Sequence, residues 1–578
     1  MKKLSLLAII GILCFSCKNE EKDPKVANAQ FDKYKNNFIE AFWKIYPEYA
    51  SSQGYHNYDS VIKIPTADYR KEQLAFAQSN LDSLKNYSVE SLSSNNVTDY
   101  YMIKNQLEGT VFSVNELKSY EWDPSSYNVC GSFAEILNGT YDSLDNRVAS
   151  IDLKLDKVAD FYKAAKANIK NPTLEHTQLA IDQNSGGKSV FETDLKDAVG
   201  KSKLTEDKKQ AILEKGKKAI AAIDDYVDWL KKLDNKTPRS FRLGKDLFDK
   251  KFNYDIQSSY TPEQIYQKAI DHKAELHAKM FELAEKLWPK YCGSEAKPAD
   301  KLKLIKQVID KISLQHTTPE KFQSEIEKQI PELVAYVKEK DLLYIDPSKP
   351  LIVRKEPDYM AGVAGASVSA PGPYDKKGNT YYNVGSMSGW SAEQSESYLR
   401  EYNNYILQIL NIHEAVPGHY TQLVYANQSP SIIKSIFGNG AMIEGWAVYT
   451  ERMMLESGYK NSDEMWLMYY KWNLRATCNT ILDYSIHTKN MSKEAALSLM
   501  VNEGFQQQAE ADGKWKRATL TQVQLCSYFT GYTEIYEFRE QLKKEQGSKF
   551  NLKKFHEQFL SYGSAPVKYI KELMTKKS

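Results

Sequence analysis

The chain has 578 residues, 42% hydrophobic and 26% charged, a balance that suits a folded globular protein and excludes collagen-like, low-complexity and wholly disordered chains. Lys and Arg number 77 against 75 Asp and Glu, so no surplus of positive charge exists to displace counterions from nucleic acid, and nucleic acid is not an expected partner. At roughly 150 residues per domain the length allows three to four units, or one large helical body.

At the N-terminus Lys2 and Lys3 precede an apolar run from Leu4 to Phe15. A membrane-spanning helix needs about 20 apolar residues, so this run reads as the core of an export signal over residues 1–16. Ser16 before Cys17 resembles the lipobox of bacterial lipoproteins, which makes Cys17 the expected acylated terminus. The chain is then exported to the cell envelope and anchored to the outer membrane by lipid alone, facing the periplasm or the exterior. Removing residues 1–16 takes away two lysines and no acid, leaving equal numbers of acidic and basic groups. Cys130, Cys292, Cys478 and Cys526 lack a Cys-x-x-Cys pair and make no zinc knuckle; a Cys478–Cys526 bridge and free buried thiols both fit the spacing.

Residues 17–30, with the charged stretch Lys18 to Lys25, read as the lipidated N-terminus and a flexible tether. From Phe31 onward apolar and aromatic residues recur every three or four positions, the pattern of amphipathic helices, so the body is mainly α. Residues 31–350 read as a helical N-terminal lobe and 351–578 as a second lobe that carries the chemistry. Thr261-Pro262-Glu263-Gln264 and Ser391-Ala392-Glu393-Gln394 are capping boxes, and Thr318-Pro319-Glu320 starts another helix. His272 and His277, five apart on a Lys-rich helix, do not share a face and read as solvated.

The helical rhythm breaks at 351–385. Leu351 to Arg354 and Thr380 to Val384 suggest two short strands around a loop rich in Gly, Ala, Ser and Pro, a small β ribbon whose edge could take up an extended peptide.

Tyr398, Tyr402, Tyr405, Ile409 and Ile412 then form one apolar stripe of a helix that ends in His413-Glu414-Ala415-Val416-Pro417-Gly418-His419. Two imidazoles and an adjacent carboxylate are the parts of a zinc hydrolase: neutral imidazoles bind the ion and the carboxylate takes a proton from the attacking water. On an unbroken helix the six-residue step turns about 600° and leaves the second imidazole about 120° from the first, so chelation requires Pro417 and Gly418 to interrupt the helix, glycine by accepting positive φ. Glu444, in Glu444-Gly445-Trp446-Ala447-Val448-Tyr449-Thr450-Glu451, is the natural third ligand. Glu451, two turns further on, lies where it could orient a ligating imidazole.

These stretches resemble the bacterial domain-of-unknown-function 885 family, placed with the gluzincin-like zinc metallopeptidases. Over nearly all of the mature chain the likeness rests on Tyr46-Pro47 with Gly54, the heptad His413 to His419 with Gln422, and Glu444-Gly445-Trp446-Ala447 with Tyr449 and Glu451. It continues through Asp483 with His487, Tyr528 with Gly531, and Phe550-x-Leu552-x-x-Phe555-His556 to Gly563 and Pro566. The resemblance implies a two-lobed helical body with a deep cleft, and one zinc ion held by His413, His419 and Glu444. Asn479 and Ser485 depart from the Arg and Gly that family members often carry near Asp483.

The expected activity is that of a zinc-dependent peptidase, with Glu414 as general base and His487, Arg517 or Tyr528 stabilising the oxyanion. Asp483, four residues before His487, is a candidate to polarise it or to form a structural ion pair with it, and His556 reads as structural. The competing reading is an aromatic-rich surface lipoprotein that binds glycan or peptide without catalysis.

Overall fold

The structure, a computed structural model, describes residues 23–356, 366–375 and 378–576. Cys17 and the export signal lie outside the described residues. The described chain is mainly helical, with one small sheet, and none of its helices is long and apolar enough to cross a membrane.

The first helix starts at Pro24, not at Phe31. Asp23 caps it by accepting from Lys25 N, and proline suits the first helical turn, so part of the expected tether is folded. Both capping boxes form, with the hydroxyls of Thr261 and Ser391 and the carboxamides of Gln264 and Gln394 in reciprocal hydrogen bonds. Thr318 precedes a single 3-10 turn, Pro319–Lys321, that feeds the helix Phe322–Glu339.

The apolar core does not divide at 350. Its largest part runs from Phe31 and Trp43 through Phe248, Leu333 and Trp446 to Ile570, so the N-terminal helices pack in one body with those that carry the histidines. A second core, from Tyr127 to Leu230, is built by helices between Cys130 and Lys231. At the centre of the larger body lies the helix Asp463–Lys489, buried along almost its whole length and packed against Pro262–Tyr291. Its buried polar groups, among them Lys471, Asn473, Asp483 and His487, therefore meet partners inside the protein instead of water.

The ribbon proves to be a three-stranded mixed sheet. β1 (Leu351–Lys355) runs parallel to β3 (Thr380–Val384), and β2 (Ala366–Ser369), drawn from within the expected loop, pairs antiparallel with β3 on its other side. The central strand is the buried one, and Tyr382 Oη donates to Asn411 Oδ1 at 2.9 Å, tying the sheet to the first histidine's helix.

Candidate metal centre

Two local departures from regular helix bring the histidines together. The tyrosine-rich stretch is not one helix: Ala392–Glu401 ends before Asn403, whose side chain accepts from Tyr405 N and Ile406 N and starts a new helix, Asn404–Glu414. Asparagine caps this way because its oxygen satisfies N–H groups that lack an intrahelical partner. That second helix stops at Glu414, and another, His419–Asn427, begins at the second histidine. The Pro-Gly pair therefore separates two helices. Gly418 has φ −75°, so it is needed for space: a Cβ there would lie 1.9 Å from His413 O. The turn folds back so tightly that Gly418 N donates to Ile412 O at 3.0 Å, and the two imidazole rings meet edge to face with centroids 4.7 Å apart.

Glu444 arrives on the helix Gly440–Glu456, which packs along Cys526–Gln546. Gly445 and Gly531 let these backbones touch: a Cβ on Gly531 would lie 1.7 Å from Ala441 O, and one on Gly445 would lie 2.3 Å from Gly531 Cα. The contact sets Glu444 beside the helix that carries Tyr528.

The three side chains converge. Each of His413, His419 and Glu444 offers a ligand atom within 4.8 Å of the others, with Glu444 Oε2 at 3.3 Å from His419 Nε2 and 3.8 Å from His413 Nε2. Donors around a tetrahedral zinc ion at about 2.0–2.2 Å stand about 3.3–3.6 Å apart, so the His419 separation fits and the His413 separation is a few tenths of an ångström long. Glu444 Oε2 is buried and makes no hydrogen bond of regular geometry, its pairing with His419 at 3.3 Å being chiefly electrostatic. A buried carboxylate oxygen left bare is costly, and a cation at the point of convergence removes the cost.

The supporting contact expected of Glu451 is present. His413 Nδ1 lies 2.7 Å from Glu451 Oε1, which also accepts from Trp472 Nε1 at 3.0 Å. A proton on Nδ1 leaves the Nε2 lone pair free for the ion. Burial, with the neighbouring His419 adding to it, pulls His413 down to about 3, so it is neutral, the form that ligates. For His419 burial acts downward, but Glu444 outweighs it and the net shift is upward; Glu444 is lowered in return against its own burial. Burial pushes Glu414 up to about 7, opposed by His419 and reinforced by Glu444.

Arg517 and Tyr528 lie at this centre. Arg517 Nη2 donates to Tyr528 Oη at 3.0 Å and to Gln524 Oε1 at 2.7 Å. Burial raises the Tyr528 hydroxyl and the charge of Glu444 raises it further, while Arg517 acts to lower Glu444.

His487 is not available to an oxyanion. Its Nε2 faces Ala518 O and Thr521 O, both at 3.2 Å, and Nδ1 accepts from Leu243 N at 3.4 Å. Asp483 lies 3.6 Å from His487 Nε2, the expected pairing, and accepts from Val523 N and Leu525 N, so it holds the loop that enters the Tyr528 helix. His556 is structural as expected, bonded to Leu342 O and Tyr449 Oη, yet its ring packs on Trp446, whose indole donates to Pro417 O. His272 and His277 are not solvated: they bond Asn473 Oδ1 and Glu503 O, each at 2.8 Å. All four cysteines of the body are buried and free.

Sequence reasoning missed Trp472 and Arg475. The signal was an arginine in the middle of a helix otherwise nearly all buried.

The profile of the family described as "Bacterial protein of unknown function (DUF885)" matches residues 47–574. The chain belongs to the DUF885 family. A solved structure from Shewanella oneidensis, described as "a putative lipoprotein of unknown function", is 52% identical, with a TM-score of 0.85 over 94% of this chain and 100% of that one. A second solved structure, described as "the putative lipoprotein from Colwellia psychrerythraea", is 17% identical with a TM-score of 0.76 over 94% of this chain and 98% of that one, a likeness of fold. No curated protein matches the sequence.

Proposed function

We propose that this DUF885 protein is a metal-dependent hydrolase that cleaves peptide or related amide bonds, with zinc held by His413, His419 and Glu444. The observation that carries the reading is the convergence of these side chains on a buried, unpartnered Glu444 oxygen, with Glu414 adjoining. A zinc ion there would supply Lewis-acid polarisation of a water molecule and of the scissile carbonyl. Glu414 accepts a proton from the attacking water and returns it to the leaving amine, a role suited to a carboxylate whose pKa burial brings to about 7. Glu451 fixes the proton on His413 Nδ1. Tyr528, with Arg517 bonded to its hydroxyl, donates to the carbonyl oxygen as it gains negative charge. β2 is an edge strand that packs against the His413 helix, where an extended peptide can add by main-chain pairing.

The same reading includes the gluzincin-like cleft between two lobes, and export with a lipid on Cys17 holding the body at the outer membrane. The lipoprotein description of the 52% identical neighbour supports the location.

Incubating the zinc-loaded protein with a mixed peptide library, with products read by mass spectrometry, tests the chemistry. Wild type should cut, and Glu414→Gln should hold one equivalent of zinc and cut at least about 10²-fold more slowly. Turnover by metal-loaded Glu414→Gln at close to the wild-type rate would refute Glu414 as the base.

A further inference from the structure

Arg475 has no part in the chemistry above, yet its charge acts on His413 and Glu414 of the same centre. Its guanidinium lies over the Trp472 ring at 4.6 Å; Trp472 bonds Glu451, and Glu451 bonds His413. Three contacts thus separate a fixed cation from a candidate metal ligand. Tyr402 and Tyr398 extend the aromatic wall, with Tyr402 6.0 Å from Trp472 and 4.5 Å from Tyr398 between ring centroids.

The arginine is held but not satisfied. Nη2 pairs with Glu510, and Lys514 reaches the same Glu510 oxygen at 4.0 Å, so one carboxylate answers two cations. The nearby Glu401 is taken by Lys471 at 2.8 Å, and Glu451 bonds His413 and Trp472 through Oε1, its Oε2 making no hydrogen bond to the guanidinium. The Tyr402 hydroxyl also lies against the guanidinium, but Arg475 Nε is buried without an acceptor of regular geometry, while the side chain as a whole keeps 19% of its surface exposed. A buried cationic donor without an acceptor is costly, and an incoming carboxylate would remove that cost. The planar fork is the geometry that receives a carboxylate through two hydrogen bonds, and the indole beneath holds its plane.

We propose that Arg475 docks a carboxylate of the substrate, either a peptide's terminal carboxylate or an acidic side chain near the cleavage site. The inference rests on the peptidase reading and names its substrate class. A terminal carboxylate in this place makes the enzyme cut close to the C-terminus, whereas an acidic side chain makes it selective for acidic peptides at internal positions.

Calorimetric binding to the zinc-loaded Glu414→Gln protein, in which turnover does not interfere, separates the cases. The probes are one neutral peptide as free acid and as C-terminal amide, the amide with one internal Glu, and the small pair 3-phenylpropanoate and 3-phenylpropanamide. In the Arg475 background, a carboxylate probe should bind at least tenfold more tightly than its amide. In Arg475→Met that preference should vanish, and Arg475→Lys should restore part of it. Preference for the free acid assigns the terminus; preference for the internal Glu assigns the side chain. If peptides neither bind nor are cut while 3-phenylpropanoate still depends on Arg475, the carboxylate site stands and the peptidase reading falls. Equal affinity for acid and amide, or a preference that survives Arg475→Met with zinc content and melting temperature intact, would overturn the proposal. Equal weakening of both probes in Arg475→Met would also overturn it, as that marks a structural support.

Discussion

Two buried histidine–carboxylate groups lie in the same body and behave oppositely. Around His487 and Asp483 the imidazole and the carboxylate find their partners in the backbone: His487 joins Leu243 to the turn after the helix Gln508–Leu520, and Asp483 holds Val523 and Leu525. Around His413, His419 and Glu444 the chain leaves a carboxylate oxygen bare between two imidazoles. Burial and residue type are alike in the two; the difference is satisfaction. A buried polar group with its hydrogen bonds made is architecture, and one built to face nothing in the chain is a place for something else.

The largest expected effects fall on the unsatisfied group. Glu444→Ala should lose both zinc and turnover, and Glu414→Gln should lose turnover by roughly 10²–10⁴-fold while keeping zinc, read by elemental analysis beside a peptide assay. Next comes the scaffold that brings Glu444 in. Gly531→Ala forces a methyl group against Ala441 O, and should destabilise by about 1–3 kcal/mol or more in denaturant unfolding, with weakened zinc binding because Glu444 moves with its helix. His487→Ala should cost a similar amount, about 2–3 kcal/mol, through lost hydrogen bonds and a cavity, with zinc content unchanged. A loss of metal in that variant would erase the distinction between the two groups. Glu451→Gln should weaken zinc affinity by about 10–100-fold in a competition titration with a chelator, with little change in fold.

His556 sharpens the comparison through pH. Burial, helped by the charge of Arg539, pulls its pKa down to about 4 from an ordinary 6.5. The unfolded chain therefore takes up a proton before the folded one does. The stability tied to neutral His556 is complete above pH 6.5, declines as pH falls toward 4, and changes no further below that; the loss is on the order of 3 kcal/mol. Unfolding curves across that window should be steeper for wild type than for His556→Gln.

Much of this was legible in residue types and spacing. The capping boxes and the helical body follow from local rules, because caps and helical faces are set by residues within a turn or two, and the meeting of Glu444 with the two histidines and the Glu451–His413 contact were expected from residue type and spacing. The break at Asn403 was hidden because the apolar stripe continues across it. The third strand was hidden because Ala366 to Ser369 has little β signature of its own and pairs only through β3. His487 misled for a related reason: spacing puts it on a face with Asp483, but which backbone groups arrive opposite that face is decided by Leu243 and Thr521, far away in sequence. Trp472 and Arg475 carry no motif and acquire meaning only once Glu451 is seen beside them.

The central claim is that an ion binds where the bare oxygen points. Anomalous scattering from crystals grown with zinc, collected on either side of the zinc absorption edge, addresses it directly. The account predicts one strong peak at about 2 Å from His413 Nε2, a His419 ring nitrogen and a Glu444 carboxylate oxygen. No peak there at saturating zinc, or a sole peak elsewhere on the surface, would contradict it.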